Sequence, residues 1–108
     1  MIGLYKGVNS AELEPTEFSI GQNYSNPFKG KTTIKYCVAY KTRVQITVFD
    51  SEGKVINKLV DEEKLPVTYE VEFNIVETHG DASLQNDVYI YRLEAGNYKS
   101  EKKMTLIK

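Results

Sequence analysis

Apolar and polar residues alternate with a period of two along most of the chain, which is typical of strands with one buried face. The predicted apolar faces are Ile34, Tyr36 and Val38; Val44, Ile46 and Val48; and Tyr69, Val71 and Phe73. Further strands are expected over residues 54–60, 88–93 and 98–107, and no run has a convincing helical periodicity. Short strands separated by turns predict an all-β fold, either an immunoglobulin-type antiparallel sandwich or a small barrel.

Turn residues separate these strands. Asp50 and Gly53 in DSEG fit a tight turn, because Asp is favoured at its first position and Gly accepts a positive φ. Gly96 in EAGN is expected to turn the chain between the last two strands. The acidic stretch and the Leu-Pro pair at residues 61–66 are expected to interrupt the strand pattern, and residues 76–86 are the one long irregular segment.

The segment GQNYSNPFKG, residues 21–30, combines turn-forming residues with two aromatic rings. The side chains of Asn23 and Asn26 are expected to bond neighbouring backbone groups, as Asn does in turns. Pro27 fixes its own φ and favours an extended conformation for Asn26. We expect this compact turn to aim Tyr24 and Phe28 inward, as plugs over the edge of the core.

Composition limits the classes of function. The chain has 108 residues, which fits one domain, and its net charge of −1 argues against a nucleic-acid binder. No stretch has the roughly 18 apolar residues of a membrane helix, and the first residues lack the apolar core of a secretory signal. The protein is therefore expected to be either cytosolic or the end of a longer polypeptide. Cys37 is the single cysteine and cannot form an internal disulfide.

No catalytic, cofactor-binding or metal-binding site is predicted. His79 is the single histidine and lies in the loop sequence ETHGD, without a recognisable nucleophile motif. Cys37 has no His or Asn at a spacing typical of catalytic cysteines and no helix start that would activate the thiol. Asp50 and Glu52 are expected to lie at a solvated hairpin tip, because calcium needs six to eight oxygens from a defined loop.

Tyrosine pairs allow a different kind of site. Tyr89 and Tyr91, or Tyr24 and Tyr40, are candidates for stacking on sugar rings, as in carbohydrate-binding modules. Alternating tyrosines in a strand more often form one buried face with cross-strand partners. A carbohydrate-binding role therefore stays as an alternative.

The motifs together resemble a known family. Residues 15–36, PTEFSIGQNYSNPFKGKTTIKY, are similar to the opening of the C-terminal sorting domains of the type IX secretion system, which typically starts with Gln-Asn-Tyr-Pro-Asn-Pro-Phe. Residues 44–61 resemble the family's strand–Asp-x-x-Gly–strand hairpin, and residues 87–108 resemble its last hairpin and basic-apolar ending. The residues that carry the resemblance are Gln22, Asn23, Tyr24, Asn26, Pro27, Phe28, Asp50, Gly53, Tyr89 and Gly96. A similar immunoglobulin-like module occurs in the flagellar hook-capping protein.

The resemblance implies an immunoglobulin-like β-sandwich of about seven strands over residues 15–108, with residues 1–14 as a linker or the remnant of a preceding domain. Its implied role is recognition without catalysis or cofactors. The outer-membrane secretion machinery would read the domain, and a sortase-like peptidase would remove it from the upstream cargo of the same polypeptide. The implied route runs through the periplasm to the cell surface or the extracellular space.

The sequence departs from the family pattern at four places. Ser25 replaces the Pro after the motif Tyr, residues 86–87 are Asn-Asp where the family has Ser-Gly, and Val67 replaces the Gly after the loop Pro. The loop at residues 77–85 is longer than is typical. These changes affect loop shapes more than the fold, and the loop is a candidate for a contact surface of its own.

The last strand is the candidate for recognition, with the basic residues Lys102, Lys103 and Lys108 around the apolar residues Met104, Leu106 and Ile107. Such a strand can add to a partner's sheet edge or dock in an acidic groove. In the simpler interpretation, Met104 and Leu106 are core and the lysines keep an edge strand soluble. A weak homodimer through an edge strand is a further expectation. The alternative function is a structural or carbohydrate-binding accessory module of a cell-surface hydrolase.

Overall fold

A computed structural model describes residues 16–75 and 87–107 of the protein. It contains seven strands: β1 Ser19–Ile20, β2 Lys31–Cys37, β3 Thr42–Phe49, β4 Val55–Lys64, β5 Thr68–Asn74, β6 Asp87–Ala95 and β7 Tyr98–Leu106. They form two antiparallel sheets, of order β1-β2-β5 and β4-β3-β6-β7. The predicted immunoglobulin-like sandwich is thereby confirmed, and the barrel alternative is wrong because the sheets stay separate.

The core lies between the two sheets and is built from the faces that the alternation predicts. The inward residues of β2 and β3 are almost completely buried: Ile34, Tyr36, Val44, Ile46 and Val48. From the sheet that also contains β3, β6 contributes Tyr89, Tyr91, Leu93 and Ala95, and β7 contributes Met104 and Leu106. Each fully buried aliphatic side chain of this kind stabilises the fold by roughly 1.5–3 kcal/mol relative to an exposed one.

The acidic stretch at residues 61–64 does not interrupt a strand, which corrects the sequence-based expectation. These residues complete β4, an edge strand whose charges reach solvent. Asp61 receives hydrogen bonds from the side chains of Gln45 and Arg43 on the neighbouring strand, and these bonds lower the pKa of Asp61. The cross-strand partners compensate the charge, so the ladder continues to Lys64.

Both predicted glycine turns are present. Gly53 has a φ of 88°, and one carboxylate oxygen of Asp50 accepts hydrogen bonds from the backbone N–H groups of Glu52 and Lys54, each at 2.9 Å. Gly96 has a φ of 59°, and a Cβ added there would lie 2.9 Å from the Tyr40 hydroxyl. Within the described ranges, no helix has the length and apolar character needed to cross a membrane.

Candidate recognition site: the opening motif and the last strand

The opening motif passes from one sheet to the other. β1 pairs with β2 in the three-stranded sheet, and Tyr24 forms an isolated antiparallel bridge with Thr33 of the same strand. Four residues later, Phe28 forms a parallel bridge with Leu106 of β7 in the four-stranded sheet. Residues 22–28, which we call the clasp, therefore connect the two layers of the sandwich.

The clasp covers part of the outer edge of β7. Phe28 forms two backbone hydrogen bonds with this strand. Its N–H donates to the Thr105 carbonyl (2.9 Å), and its carbonyl accepts from the Ile107 N–H (2.8 Å). Two side chains add bonds, from Thr105 N–H to Asn26 Oδ1 (2.9 Å) and from Gln22 Nε2 to the Lys103 carbonyl (2.7 Å). These bonds satisfy edge groups that would otherwise be open to another strand.

Asn23 organises the buried side of the clasp. It is only 2% exposed, and its backbone N–H donates to the Tyr91 hydroxyl at 2.8 Å. Its amide nitrogen donates to the Ser25 carbonyl at 3.1 Å and to Thr32 Oγ1 at 3.0 Å, while its Oδ1 accepts from Gln22 Nε2 at 2.6 Å. A buried amide with all these partners is stabilising, whereas an unpaired one would cost about 1–3 kcal/mol.

Tyr91 ties this network to β6. Its hydroxyl accepts from Asn23 and donates to the Gly21 carbonyl at 2.7 Å, and the side chain is completely buried. Burial disfavours the phenolate and raises the pKa of Tyr91 to about 12, although the hydrogen bond from Asn23 acts in the opposite direction. The phenol is therefore a neutral, permanent bridge between the clasp and the core.

The two aromatic residues of the clasp face opposite ways. Phe28 is 1% exposed and packs edge-on against Phe73, with ring centroids 6.1 Å apart, as expected of a plug. Tyr24 is 50% exposed, so the expectation that it points inward is wrong. Thr32 and Ile34 of β2 point into the core, so Thr33 between them points outward. Tyr24 is the bridge partner of Thr33 and therefore lies on the same outer face. There it donates to Glu70 Oε2 at 2.7 Å, a bond that raises the pKa of Tyr24.

Asn26 also differs from expectation. Its side chain bonds the backbone of Thr105, 79 residues away, instead of a neighbouring backbone group. The peptide bonds Tyr24–Ser25 and Asn26–Pro27 are cis, and Pro27 itself is exposed. Sequence reasoning also missed Thr32 and the hydroxyl of Tyr91 as partners of Asn23. The one sequence signal for them was the alternation of their strands, which predicts burial but not hydrogen-bond partners.

The structure divides the candidate recognition residues of the last strand into buried and accessible ones. Met104 and Leu106 are completely buried in the core. Lys102 is half-buried and Lys103 is exposed, and neither side chain forms an ion pair with a described residue. Ile107 is half-buried, next to Phe28. Lys108, like His79 and the irregular segment at residues 76–86, lies outside the described residues.

The tyrosine pairs do not form a sugar-stacking platform. Tyr89 and Tyr91 are 6% and 0% exposed, so neither ring offers a face to a ligand. Tyr24 and Tyr40 are exposed but have different neighbours: Tyr24 bridges Thr33 and bonds Glu70, whereas Tyr40 packs edge-on against Phe18 with ring centroids 4.9 Å apart. In residues 16–75 and 87–107, no three His, Cys, Asp or Glu side chains are grouped as metal ligands would be.

The protein belongs to the family of secretion system C-terminal sorting domains, which it matches over residues 22–108. The match begins at the first residue of the clasp. Among solved structures, the chain is similar to dimeric latent PorU from Porphyromonas gingivalis, with a TM-score of 0.63 and 14% sequence identity. The similarity covers 98% of this chain and 10% of the PorU chain, and at this identity it concerns the fold alone. No curated protein sequence matches the chain. As a type IX sorting domain, it is a signal for export to the cell surface or the extracellular space.

Proposed function

We propose that this domain is a non-catalytic sorting tail, read in its folded form by the outer-membrane machinery of type IX secretion. The cargo is an upstream part of the same polypeptide, which crosses from the periplasm to the cell surface or the medium. A sortase-like peptidase then removes the tail. The observation that carries the proposal is the family match over residues 22–108, which includes both the clasp and the last strand.

The geometry supports recognition of a folded tail. The buried residues Met104 and Leu106 hold β7 in place, and the clasp bonds fix its end. The residues left for a partner are Lys102, Lys103 and Ile107, together with Lys108 at the end of the sequence. Because clasp and strand are hydrogen-bonded to each other, the machinery meets one surface that exists only after folding.

The non-catalytic role is supported by how the polar side chains are used. Asn23, Thr32 and Tyr91 are occupied in the buried network of the clasp. The Sγ of Cys37 lies 3.3 Å from Thr68 Oγ1 on the outside of the three-stranded sheet, a hydrogen-bond contact with a hydroxyl rather than with a base. These residues act as structural partners, which fits a domain that is recognised rather than one that catalyses.

A secretion assay tests the proposal. A signal peptide, a fluorescent reporter and residues 1–108 are fused and expressed in a host competent for type IX secretion. We expect the reporter at the surface or in the medium, separated from the tail on a denaturing gel. Removal of residues 103–108 should leave it in the periplasm. Reporter that stays in the periplasm with the intact, folded tail would refute the sorting role.

That truncation also removes partners of the clasp, so a second comparison separates recognition from folding. Gln22→Ala with Asn26→Ala removes two side-chain bonds to β7 and keeps its sequence. If the machinery reads a folded tail, this variant should lose secretion in proportion to its loss of folded protein, measured by thermal unfolding. Full secretion from an unfolded variant would show that the linear sequence is sufficient.

A further inference from the structure

Within the part of the chain that the structure describes, hydrogen bonds cover the outer edge of β7 along only half of its length. Thr105 directs its N–H and carbonyl groups to the clasp, away from β6. In a strand, the N–H and carbonyl groups of every second residue point to the same side. Those of Lys103, Glu101 and Lys99 therefore point away from β6, as those of Thr105 do. The clasp reaches the Lys103 carbonyl and no further. We call the remaining stretch, residues 99–103, the open edge.

The charges of the open edge are unevenly compensated. On its outer face Lys99 lies 3.8 Å from Glu94, and Arg92 lies 2.6 Å from Glu101. Lys102 and Lys103 make no ion pair with a described residue. With respect to the described residues, the open edge therefore combines backbone donors and acceptors without a partner, apart from the Lys103 carbonyl, with two positive charges that have no ion pair.

A shallow depression adjoins this stretch, lined by Ile90, Glu101, Lys102 and Lys103. Ile90 lies opposite Lys103 in the antiparallel register of β6 and β7, so its side chain is on the same face. An aliphatic side chain placed in the depression would pack on Ile90. The neighbouring residues of such a strand point to the opposite face, where a carboxylate would reach the ammonium group of Lys102, which alternates with Lys103 along β7.

We propose that the open edge is a strand-addition site for an extended segment of a partner protein that carries alternating carboxylate and aliphatic side chains. Main-chain bonds to the edge supply affinity, Ile90 and Lys102 supply specificity, and Lys103 adds to the positive charge of the edge. The inference rests on the proposed function, since it makes the partner a component of the export machinery. It places recognition N-terminal to the clasped end of the strand rather than at that end.

A second copy of the chain fits this edge less well than an acidic segment. It would bring its own Lys102 and Lys103 to the same short stretch, and like charges oppose strand pairing. Lysines on an edge strand are a common protection against self-association. A carboxylate-bearing strand turns the same charges into attraction and into faster association.

The first test uses substitutions at one backbone donor. Lys99→Pro removes an N–H that points away from β6, a position where an edge strand tolerates proline. Lys99→Ala removes the same side-chain charge but keeps the N–H, and is the matched control. In the reporter fusion, we expect Lys99→Pro to reduce secretion several-fold relative to Lys99→Ala at similar thermal stability. Equal secretion from the two variants would overturn strand addition.

The second test concerns charge. Lys102→Gln with Lys103→Gln removes the two uncompensated charges, and Lys29→Gln with Lys35→Gln removes two exposed lysines elsewhere. We expect only the first pair to reduce secretion. Equal effects of the two pairs would overturn the assignment to the open edge. If the unaltered fusion is not secreted at all, the proposed function fails. The peptide-binding measurement then tests strand addition at the open edge by itself.

The binding measurement titrates the isotope-labelled domain with an extended peptide of alternating glutamate and valine, and with a control peptide of alternating lysine and valine. The backbone amides of Lys99, Glu101 and Lys103 should shift with the acidic peptide only. Shifts confined to other strands would overturn the proposal. So would a concentration-dependent dimer in sedimentation that Lys99→Pro abolishes and Lys99→Ala keeps, because the edge would then serve a second copy.

Discussion

The Asp50 turn and the clasp both consist largely of turn-forming residues, but they differ in how far along the chain their hydrogen-bond partners lie. In the turn, the side chain of Asp50 bonds the backbone two and four residues away. In the clasp, Asn26 bonds Thr105 across 79 residues, and Asn23 bonds Tyr91 across 68. A segment with the composition of a turn can therefore be either a local connection or the closure between the two ends of a domain.

The difference has a functional consequence. The turn can be altered without reaching the rest of the protein, because its partners lie within it. The clasp holds the strand that we propose is recognised, so any loss there also affects β7. Five substitutions or conditions test this contrast, in order of decreasing expected effect on the free energy of unfolding.

The largest effect is expected from Phe28→Ala in the clasp. The side chain is fully buried against Phe73, and truncation of a buried Phe costs about 3–5 kcal/mol. Urea denaturation should show this loss. Val55→Ala is the control, because Val55 lies next to the turn and its side chain is 55% exposed. This substitution should change the free energy of unfolding little. A similar loss for both variants would contradict the contrast between the two segments.

Alkaline pH should weaken the clasp through Tyr91. The pKa of its phenol is about 12 in the folded protein and about 10 in an unfolded chain, so the folded state favours the neutral form. This contribution is fully present below pH 10 and is lost as the pH rises towards 12, by up to roughly 2–3 kcal/mol. The measurement is the difference in urea stability between the native protein and Tyr91→Phe from pH 8 to 12. A constant difference over this range would rule out the shifted phenol.

At neutral pH, Tyr91→Phe should destabilise the domain by about 1–3 kcal/mol, because it leaves the buried Asn23 N–H and the half-buried Gly21 carbonyl without this partner. Amide hydrogen exchange should show the loss first at residues 22–28 and 103–107. Tyr98→Phe removes a hydroxyl outside this network and serves as the control. Uniformly faster exchange throughout the core, with no excess in the clasp, would argue against a specific bridge.

Asp50→Ala should cost about 1 kcal/mol, because it removes two exposed hydrogen bonds and part of the preference for the turn. Glu52→Ala in the same turn should be close to neutral. Secretion of the reporter fusion should stay normal in both variants, since β7 is unaffected. A secretion defect in Asp50→Ala alone would give the turn a role in recognition.

The smallest effect on stability is expected from Tyr24→Phe, because the lost bond to Glu70 is exposed to solvent and water replaces it. The same denaturation experiment measures it beside Phe28→Ala. Together, Phe28→Ala and Tyr24→Phe compare the stability contributed by two aromatic residues of the clasp, one facing the core and one facing water. A loss for Tyr24→Phe as large as that for Tyr91→Phe would mean that Tyr24 has a structural role in the fold.

The sequence by itself determined most of the strands and their inner faces. Side chains alternate across a strand with a fixed period of two, so the buried positions of β2, β3 and β7 follow from local order alone. The turns at Asp50 and Gly96 could also be predicted locally, because glycine alone among the residues adopts a positive φ without a steric cost. The motifs also indicated the family, which the match over residues 22–108 shows.

The tertiary structure decided everything that depends on a distant partner. Residues 61–64 continue β4 because Arg43 and Gln45 lie beside Asp61 on the adjacent strand. Tyr24 faces outward because its bridge partner Thr33 does, and Asn26 reaches β7 because the clasp changes sheets. Local composition indicates that Asn and Tyr need hydrogen-bond partners, but only the packing of the two sheets determines which groups come within bonding distance.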